Sequence, residues 1–127
     1  MLVSAAALLC VGEGQALAVP PSPSGQVATQ TPSHASGDID GDGGTDHVFG
    51  YPSWNGSRGA IVVVTASGKA TQLTEDYPWS SDYFGDSVSV GDIDGDGFDD
   101  VVVGVPGDWV GWMPNAGSIH VFYGSSE

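Results

Sequence analysis

Basic side chains are nearly absent from this sequence. Its 127 residues include only Arg58 and Lys69 against 16 acidic residues, and the formal net charge is −14 at pH 7. Nucleic acids and anionic membrane surfaces attract proteins through basic patches. The composition therefore argues against both kinds of partner.

Cysteine is scarce as well, with Cys10 as its single occurrence. This residue lies in an apolar N-terminal run, and a mature chain that had lost this run would contain no disulfide bond. An extracellular domain without disulfides depends on its core and on bound metal for stability.

Long hydrophobic runs are also missing. The apolar run Leu2–Val11 has ten residues, and Glu13 follows it, so it is too short to span a bilayer as a helix. With the small residues of Ala16-Leu17-Ala18 it is typical of a secretory signal peptide covering residues 1–18. No basic residue precedes the run, and an apolar N-terminal tail is the alternative. We expect a secreted or cell-surface protein without membrane insertion.

Helical periodicity does not occur after the predicted signal peptide. Residues 19–36 are rich in Pro, Ser and Thr and predict an extended linker. Short alternating or β-branched runs bounded by turn residues follow, and they predict an all-β chain. The predicted strands are residues 45–51, 59–65, 69–74, 84–91, 100–105 and 118–123.

Two Asp-rich and Gly-rich loops contain nine of the 16 acidic residues. In each loop aspartates occupy positions 1, 3, 5 and 9, and position 7 offers a backbone carbonyl. Four crowded carboxylates repel one another unless a cation neutralises them, and Ca²⁺ accepts six to eight oxygen ligands in a flexible loop. The predicted ligands of two Ca²⁺ sites are Asp38, Asp40, Asp42, Gly44 and Asp46 in the first loop, and Asp92, Asp94, Asp96, Phe98 and Asp100 in the second.

Neither loop is an EF-hand. That loop needs Glu at position 12 and flanking helices, whereas position 12 of the second loop is Val103, in a β-branched run typical of a strand. An ordinary surface turn rich in Asp and Gly is the alternative interpretation. Four aspartates at alternating spacing favour metal binding.

The loops belong to an internal repeat. Residues 37–46 align with residues 91–100 at an offset of 54, and residues 59–64 align with residues 117–122 at an offset of 58. The four extra residues predict an insertion within residues 108–115. Each repeat of this kind forms one supersecondary unit.

The repeated loop, with Phe84-Gly85 before it and Gly104-Val105-Pro106 after it, resembles the FG-GAP repeat of the integrin alpha-chain β-propeller and its bacterial relatives. The resemblance covers about residues 37–124. It implies that each repeat is a four-stranded antiparallel blade whose calcium loop joins its first two strands. The first repeat departs from the pattern, because Gln30-Thr31 stand where the Phe-Gly pair would map.

The predicted architecture is an incomplete all-β propeller of about two blades. Residues 37–83 form the first repeat and residues 84–127 the second, which stops before its outer strand. Closed propellers have four to eight blades, and about three repeats are normally needed for stability. We therefore expect the remaining blades of a longer chain as partners.

Four tryptophans fall in predicted loops: Trp54, Trp79, Trp109 and Trp112. They either bind a ligand or cover blade faces, and the insertion segment 109–113 is the better candidate for contact with a partner.

Histidines and a sequon are the other candidate functional residues. His34, His47 and His120 share no ligand spacing, and His120 lies in an apolar strand typical of a structural histidine. Asn55-Gly56-Ser57 matches an N-glycosylation sequon, but Asn-Gly is also a strong turn dipeptide, and we favour the turn.

The sequence as a whole predicts a secreted calcium-binding module for adhesion or ligand binding, without catalysis of its own. An extracellular protein or a carbohydrate is the expected ligand. The alternative is the propeller portion of a secreted hydrolase, lyase or phospholipase-like enzyme whose catalytic part lies elsewhere. A free-standing calcium buffer is disfavoured, because the sequence is rich in strands.

Overall fold

A computed structural model describes residues 3–7, 32–76 and 78–126 of the chain. Within these ranges the fold consists of two four-stranded sheets and a single helical turn, α1, Trp54–Ser57. The strands are β1 Val3–Ala7, β2 Ser33–Gly37, β3 Asp46–Tyr51, β4 Ala60–Val64, β5 Ala70–Leu73, β6 Ser87–Gly91, β7 Asp100–Val105 and β8 Ser118–Tyr123.

The first sheet is an antiparallel blade with strand order β2-β3-β4-β5. Its opening strand forms although the first repeat departs from the family pattern there, because His34 and Ser36 lie on the exposed face of β2, where polar residues are tolerated. Gln30-Thr31 lie outside the described residues. The all-β fold class and the predicted strands are confirmed.

The second sheet has the order β1-β8-β7-β6. Strands β6, β7 and β8 are antiparallel, as predicted for a blade. The fourth strand differs from the expected antiparallel outer strand, since β1 pairs with β8 in parallel, from Val3 opposite Ile119 to Ala7 opposite Tyr123. Most of the predicted signal peptide and linker, residues 8–31, lies outside the described residues. Both segments stay predictions.

One hydrophobic core lies between the two sheets, so neither blade is packed alone. Its fully buried members come from both repeats, and Leu73, Val88 and Val90 pack against them. Val88 and Val90 share one face of β6, since the burial of this strand alternates. The core residues are Ile39, Val48, Ile61, Val63, Phe84, Val101, Val103, Val105 and Phe122.

Equivalent strands of the two repeats bury opposite faces. In β7, Val101 and Val103 are buried, whereas the equivalent residues of β3 are the exposed His47 and the half-buried Phe49. The next residue reverses the relationship, because Val48 is buried while its equivalent, Val102, is only half-buried. The blades therefore stack front to back, in the manner of neighbouring blades in a propeller.

Phe84-Gly85 connects the blades at the centre of this core. Phe84 is fully buried and packs edge-on against Phe122, with ring centroids 6.1 Å apart. Gly85 has φ +88°, and a β-carbon there would lie 2.7 Å from the carbonyl oxygen of Ala60 in the first blade. Only glycine fits this combination of a left-handed backbone and close backbone approach.

The helical turn α1 is a tight turn and not a regular helix. Asn55 and Gly56 both have left-handed φ values, 50° and 73°, which confirms the Asn-Gly turn. Among the described residues no helix has the length and apolar character needed to cross a bilayer.

Candidate metal-binding loops

The two acidic loops occupy equivalent places in the blades. Residues 38–45 connect β2 to β3, and residues 92–99 connect β6 to β7. Each loop turns at two glycines with left-handed φ, 72° and 80° at Gly41 and Gly43, and 80° and 93° at Gly95 and Gly97. The repeated Asp-Gly spacing thus gives the same tight turn twice.

Each loop brings three of its predicted ligands together. One carboxylate oxygen from each of the aspartates at positions 1, 3 and 5 lies within 4.8 Å of the other two. Ca²⁺–O bonds of about 2.3–2.6 Å allow ligand oxygens to be up to about 5 Å apart, so both groups fit a calcium ion. The groups are Asp38, Asp40 and Asp42 in the first loop, and Asp92, Asp94 and Asp96 in the second.

Backbone N–H groups hold these carboxylates in place. In the second loop Asp92 Oδ2 accepts from Gly97 N at 3.0 Å and Asp96 Oδ1 accepts from Phe98 N at 2.9 Å. The equivalent bonds of the first loop are 3.1 Å and 2.6 Å long. Such side-chain-to-backbone turns are a property of Asp, so the carboxylates shape the loop as well as facing its centre.

The position-9 aspartates have a different environment. Asp100 is fully buried, and its two carboxylate oxygens accept from Ile93 N at 2.8 Å and from Gly124 N at 2.9 Å. Asp100 therefore connects the start of its loop to the chain just after β8. It is not one of the three convergent aspartates of the loop. This tie to the end of a neighbouring strand was not part of the sequence prediction.

Asp46 makes the equivalent tie in the first blade. It is also fully buried, and it accepts from Ile39 N at 2.8 Å and from Ala66 N at 2.9 Å. Ala66 corresponds to Gly124 at the offset of 58 that relates the third strands of the repeats. The same tie therefore occurs in both repeats.

The position-7 residues differ between the loops. Phe98 is half-buried, and its ring lies against Gly41 of the first loop, where a β-carbon would collide with it. Gly44 has no side chain, and its N–H donates to Asp42. Phe98 therefore links the two loops, a role beyond the carbonyl ligand that the sequence suggested.

Crowding of like charges shows in the pKa of Asp94. Desolvation within the loop, together with repulsion from the charges of Asp96, Asp100 and Asp92, raises this pKa above its ordinary value of 3.8, and a hydrogen bond from Asp96 N lowers it in part. Asp94 is exposed, so we regard the neighbouring charges as the more important cause. A bound cation would reverse their effect.

Three of the four tryptophans are exposed. The insertion after β7 displays Trp109 and Trp112, which are 57% and 96% exposed, and Met113, 61% exposed. Its tip is closed by two hydrogen bonds of 3.1 Å between Val110 and Met113. Trp79 is also exposed. Trp54 is half-buried.

Two histidine arrangements were missed at the level of sequence. His34 and His47 lie on adjacent strands with 3.0 Å between His34 Nε2 and His47 Nδ1, and His120 lies 3.3 Å from Glu75 Oε1. The spacing of these residues in the sequence does not predict either pairing, because both depend on strand register or on the packing of the two blades.

Comparison with known proteins identifies the second repeat. Residues 84–122, which include β6, β7 and all of β8 except Tyr123, match the family model of the FG-GAP repeat. Over these residues the chain is similar to an FG-GAP repeat. This match begins at Phe84, the residue that joins the two blades, and it confirms the resemblance derived from the Asp loops.

Integrin alpha chains are similar to this protein over part of its length. It is 41% identical over 76 residues to integrin alpha pat-2 of Caenorhabditis elegans, covering 58% of this chain and 6% of the relative. It is 37% identical over 75 residues to integrin alpha-IIb of Homo sapiens, covering 58% and 7%. For integrin alpha-PS2 of Drosophila melanogaster the identity is 36% over 74 residues, covering 58% and 5%. The chain thus spans less than a tenth of the length of these relatives.

Proposed function

We propose that this chain is the calcium-binding part of a secreted or cell-surface propeller that acts in adhesion or ligand binding without catalysis of its own. The observation that carries the proposal is the duplicated group of three convergent carboxylates, each between the first two strands of a blade. The similarity to proteins named integrin alpha supports the assignment to an adhesion or ligand-binding module.

Calcium would be held by the predicted ligand sets of the two loops. Each convergent group brings three carboxylates together. Oxygen donors in a flexible loop suit Ca²⁺ better than Mg²⁺, which requires near-octahedral geometry and retains its water. We expect dissociation constants typical of extracellular modules, about 10⁻⁴ to 10⁻³ M.

Binding at the loops would stabilise the blades. The second loop connects β6 to β7, and β7 supplies Val101, Val103 and Val105 to the core. Carboxylate repulsion opposes the tight turn that pairs these strands, and coordination removes that repulsion. Metal binding and folding are therefore coupled in this proposal.

The ligand-binding surface in this proposal is the insertion after β7. Trp112 and Trp109 project from a short, hydrogen-bonded loop, and exposed tryptophans are common centres of protein and carbohydrate binding. An apolar groove lined by Val105, Val110, Met113 and Ile119 lies at the base of the loop. An extracellular protein or a carbohydrate is the proposed ligand class.

Calorimetric titration of the chain with Ca²⁺ tests the metal assignment. Two sites are expected. Asp96→Ala should abolish the second site and leave the first, Asp42→Ala should do the reverse, and Asp76→Ala, which removes an exposed carboxylate outside the loops, should leave both. Mg²⁺ should compete poorly. Absence of Ca²⁺ binding, or equal binding of Mg²⁺, would contradict the proposal.

Export is tested separately by sequencing the N-terminus of the secreted protein. Cleavage after Ala18 should give a mature chain that starts at Val19. Protein that remains in the cytoplasm with residues 1–18 attached would contradict the proposed location, whereas it would leave the calcium assignment unaffected.

A further inference from the structure

Glu75, Asp108 and His120 converge on one point away from the acidic loops. Glu75 follows β5 of the first blade, Asp108 follows β7, and His120 belongs to β8. One ligating atom of each lies within 4.8 Å of the other two, and His120 Nε2 is 3.3 Å from Glu75 Oε1. Three separate segments therefore supply one mixed group of nitrogen and oxygen donors.

This group is largely hidden from solvent. The side chains of Glu75 and His120 are each 13% exposed. Glu75 Oε2 is shut off from solvent and has no hydrogen-bond partner in the described part of the chain. A buried carboxylate oxygen without a partner is costly, and a bound cation would reduce this cost.

Negative charge is in excess around the group. Asp82 is 1% exposed, and burial raises its pKa, while the hydrogen bond from Trp79 N lowers it and the charges of Glu75 and Asp108 raise it further. Three acids thus share a low-dielectric region with one imidazole.

The position of His120 is fixed by packing. Its ring meets Phe84 edge-on, with centroids 5.5 Å apart and planes at 79°. Asp108 lies at the base of the insertion, where its N–H donates to Val105 O at 3.3 Å and its carbonyl accepts from Gly117 N at 3.1 Å. Two of the three donors therefore come from backbone that is already ordered.

The chemistry of the donors selects the cation. Imidazole nitrogen suits Zn²⁺ and its neighbours in the first transition row, whereas Ca²⁺ and Mg²⁺ take oxygen ligands. Bonds of about 2.0–2.1 Å to a tetrahedral Zn²⁺ place two ligand atoms about 3.3 Å apart, which agrees with the 3.3 Å between His120 Nε2 and Glu75 Oε1. We propose that Glu75, Asp108 and His120 form a transition-metal site of the Zn²⁺ type, independent of the calcium loops.

Metal at this site would connect the blades. Glu75 ends the first blade, and Asp108 begins the insertion that displays Trp109 and Trp112. Three protein ligands leave a fourth tetrahedral position for water or for an external donor. The orientation of the aromatic insertion would then depend on a cation other than Ca²⁺.

Titration with Zn²⁺ in the presence of saturating Ca²⁺ tests the proposal with the acidic loops filled. Glu75→Gln and His120→Gln should each weaken Zn²⁺ binding at least tenfold. Two matched controls should bind Zn²⁺ as the parent chain does. The first is Asp76→Asn, which changes an exposed acid beside Glu75. The second is the double variant His34→Asn/His47→Asn, which removes the surface histidine pair. Unchanged binding in Glu75→Gln and His120→Gln, or loss in the histidine-pair control alone, would overturn the site.

A second measurement needs no substitution and therefore does not depend on the folding of a variant. In the parent chain with Ca²⁺, substoichiometric Zn²⁺ should shift the imidazole ¹⁵N resonances of His120 before those of His34 and His47. Shifts confined to His34 and His47, or no shift at all, would refute the proposed site. Neither result would bear on calcium binding by the acidic loops.

Discussion

Asp38 and Asp99 join the two acidic loops through a reciprocal pair of hydrogen bonds. Asp99 N donates to the carbonyl oxygen of Asp38 at 3.0 Å, and Asp38 N donates to Asp99 Oδ2 at 2.9 Å. Asp38 is the first predicted ligand of its loop, whereas Asp99 is not a predicted ligand of either. The second loop therefore positions a predicted ligand of the first.

We predict that Asp99→Ala weakens Ca²⁺ binding at the first loop. The substitution removes an acceptor worth about 0.5–1.5 kcal/mol, so the dissociation constant should rise about two- to tenfold. Calorimetry on the Asp96→Ala background, where only the first loop binds, measures this change. Thr45→Ala alters the equivalent, exposed position of the first loop and should have no effect. Identical affinities for Asp99→Ala and Thr45→Ala would show that the loops are independent.

Asp100 should stabilise the second blade even without metal. Asp100→Asn retains one acceptor but turns an amide donor towards a buried backbone N–H, of Ile93 or of Gly124. We expect a loss of about 1–3 kcal/mol in the free energy of unfolding, measured by urea denaturation with chelator present. Asp94→Asn, at an exposed position in the same loop, should cost little. Equal stability of the two variants would exclude the structural role of Asp100.

Gly85 should be the less tolerant of two glycines that share a left-handed backbone. Gly111 has φ +62° with open space around it, whereas a β-carbon at Gly85 would meet the backbone of the first blade. Gly111→Ala should therefore cost only the backbone strain, about 1–2 kcal/mol. Gly85→Ala should cost more, because the blades must also separate. Thermal denaturation of both variants distinguishes these outcomes, and similar melting temperatures would contradict the close approach.

Removal of Ca²⁺ should loosen β7. Hydrogen exchange at Val101, Val102 and Val103 should accelerate on addition of chelator, because carboxylate repulsion then opposes the turn that precedes this strand. Strand β5, at the edge of the first sheet, serves as the internal reference. If β7 and β5 accelerated equally, Ca²⁺ would act on global stability alone. If neither changed, the loop would be a passive turn.

Local features of this chain were predictable from sequence. Strands β3 to β8 follow from β-branched or alternating runs between turn residues, and their ends agree with the prediction to within three residues. The convergence of Asp92, Asp94 and Asp96 also follows from spacing alone. Side chains at alternate positions of a loop that turns at Gly95 and Gly97 face a common centre. Such features are predictable because they depend only on residues that are close together in the sequence.

Features that depend on packing between segments were not predictable. The convergence of Glu75, Asp108 and His120 requires the first blade, the insertion and β8 to be in place together. Likewise, β1 pairs with β8, more than a hundred residues away in sequence, and its apolar run was interpreted as part of a signal peptide. The position-9 aspartates show the same limit, since the partner of Asp100 at Gly124 lies beyond the next strand.

The two blades bury opposite faces, so the contact between them joins two non-equivalent faces. In the first blade the outer face of β3 contains the exposed His47 and the half-buried Phe49. In the second blade the outer face of β7 contains the half-buried Val102. The outer face of the first blade is equivalent to the face with which the second blade contacts the first. The outer face of the second blade is likewise equivalent to the face with which the first blade contacts the second. Any further blade, whether from the same polypeptide or from another copy, would add head to tail and repeat one rotation, instead of closing as a two-fold dimer. Such addition of blades ends only when the last blade packs against the free face of the first and the ring closes.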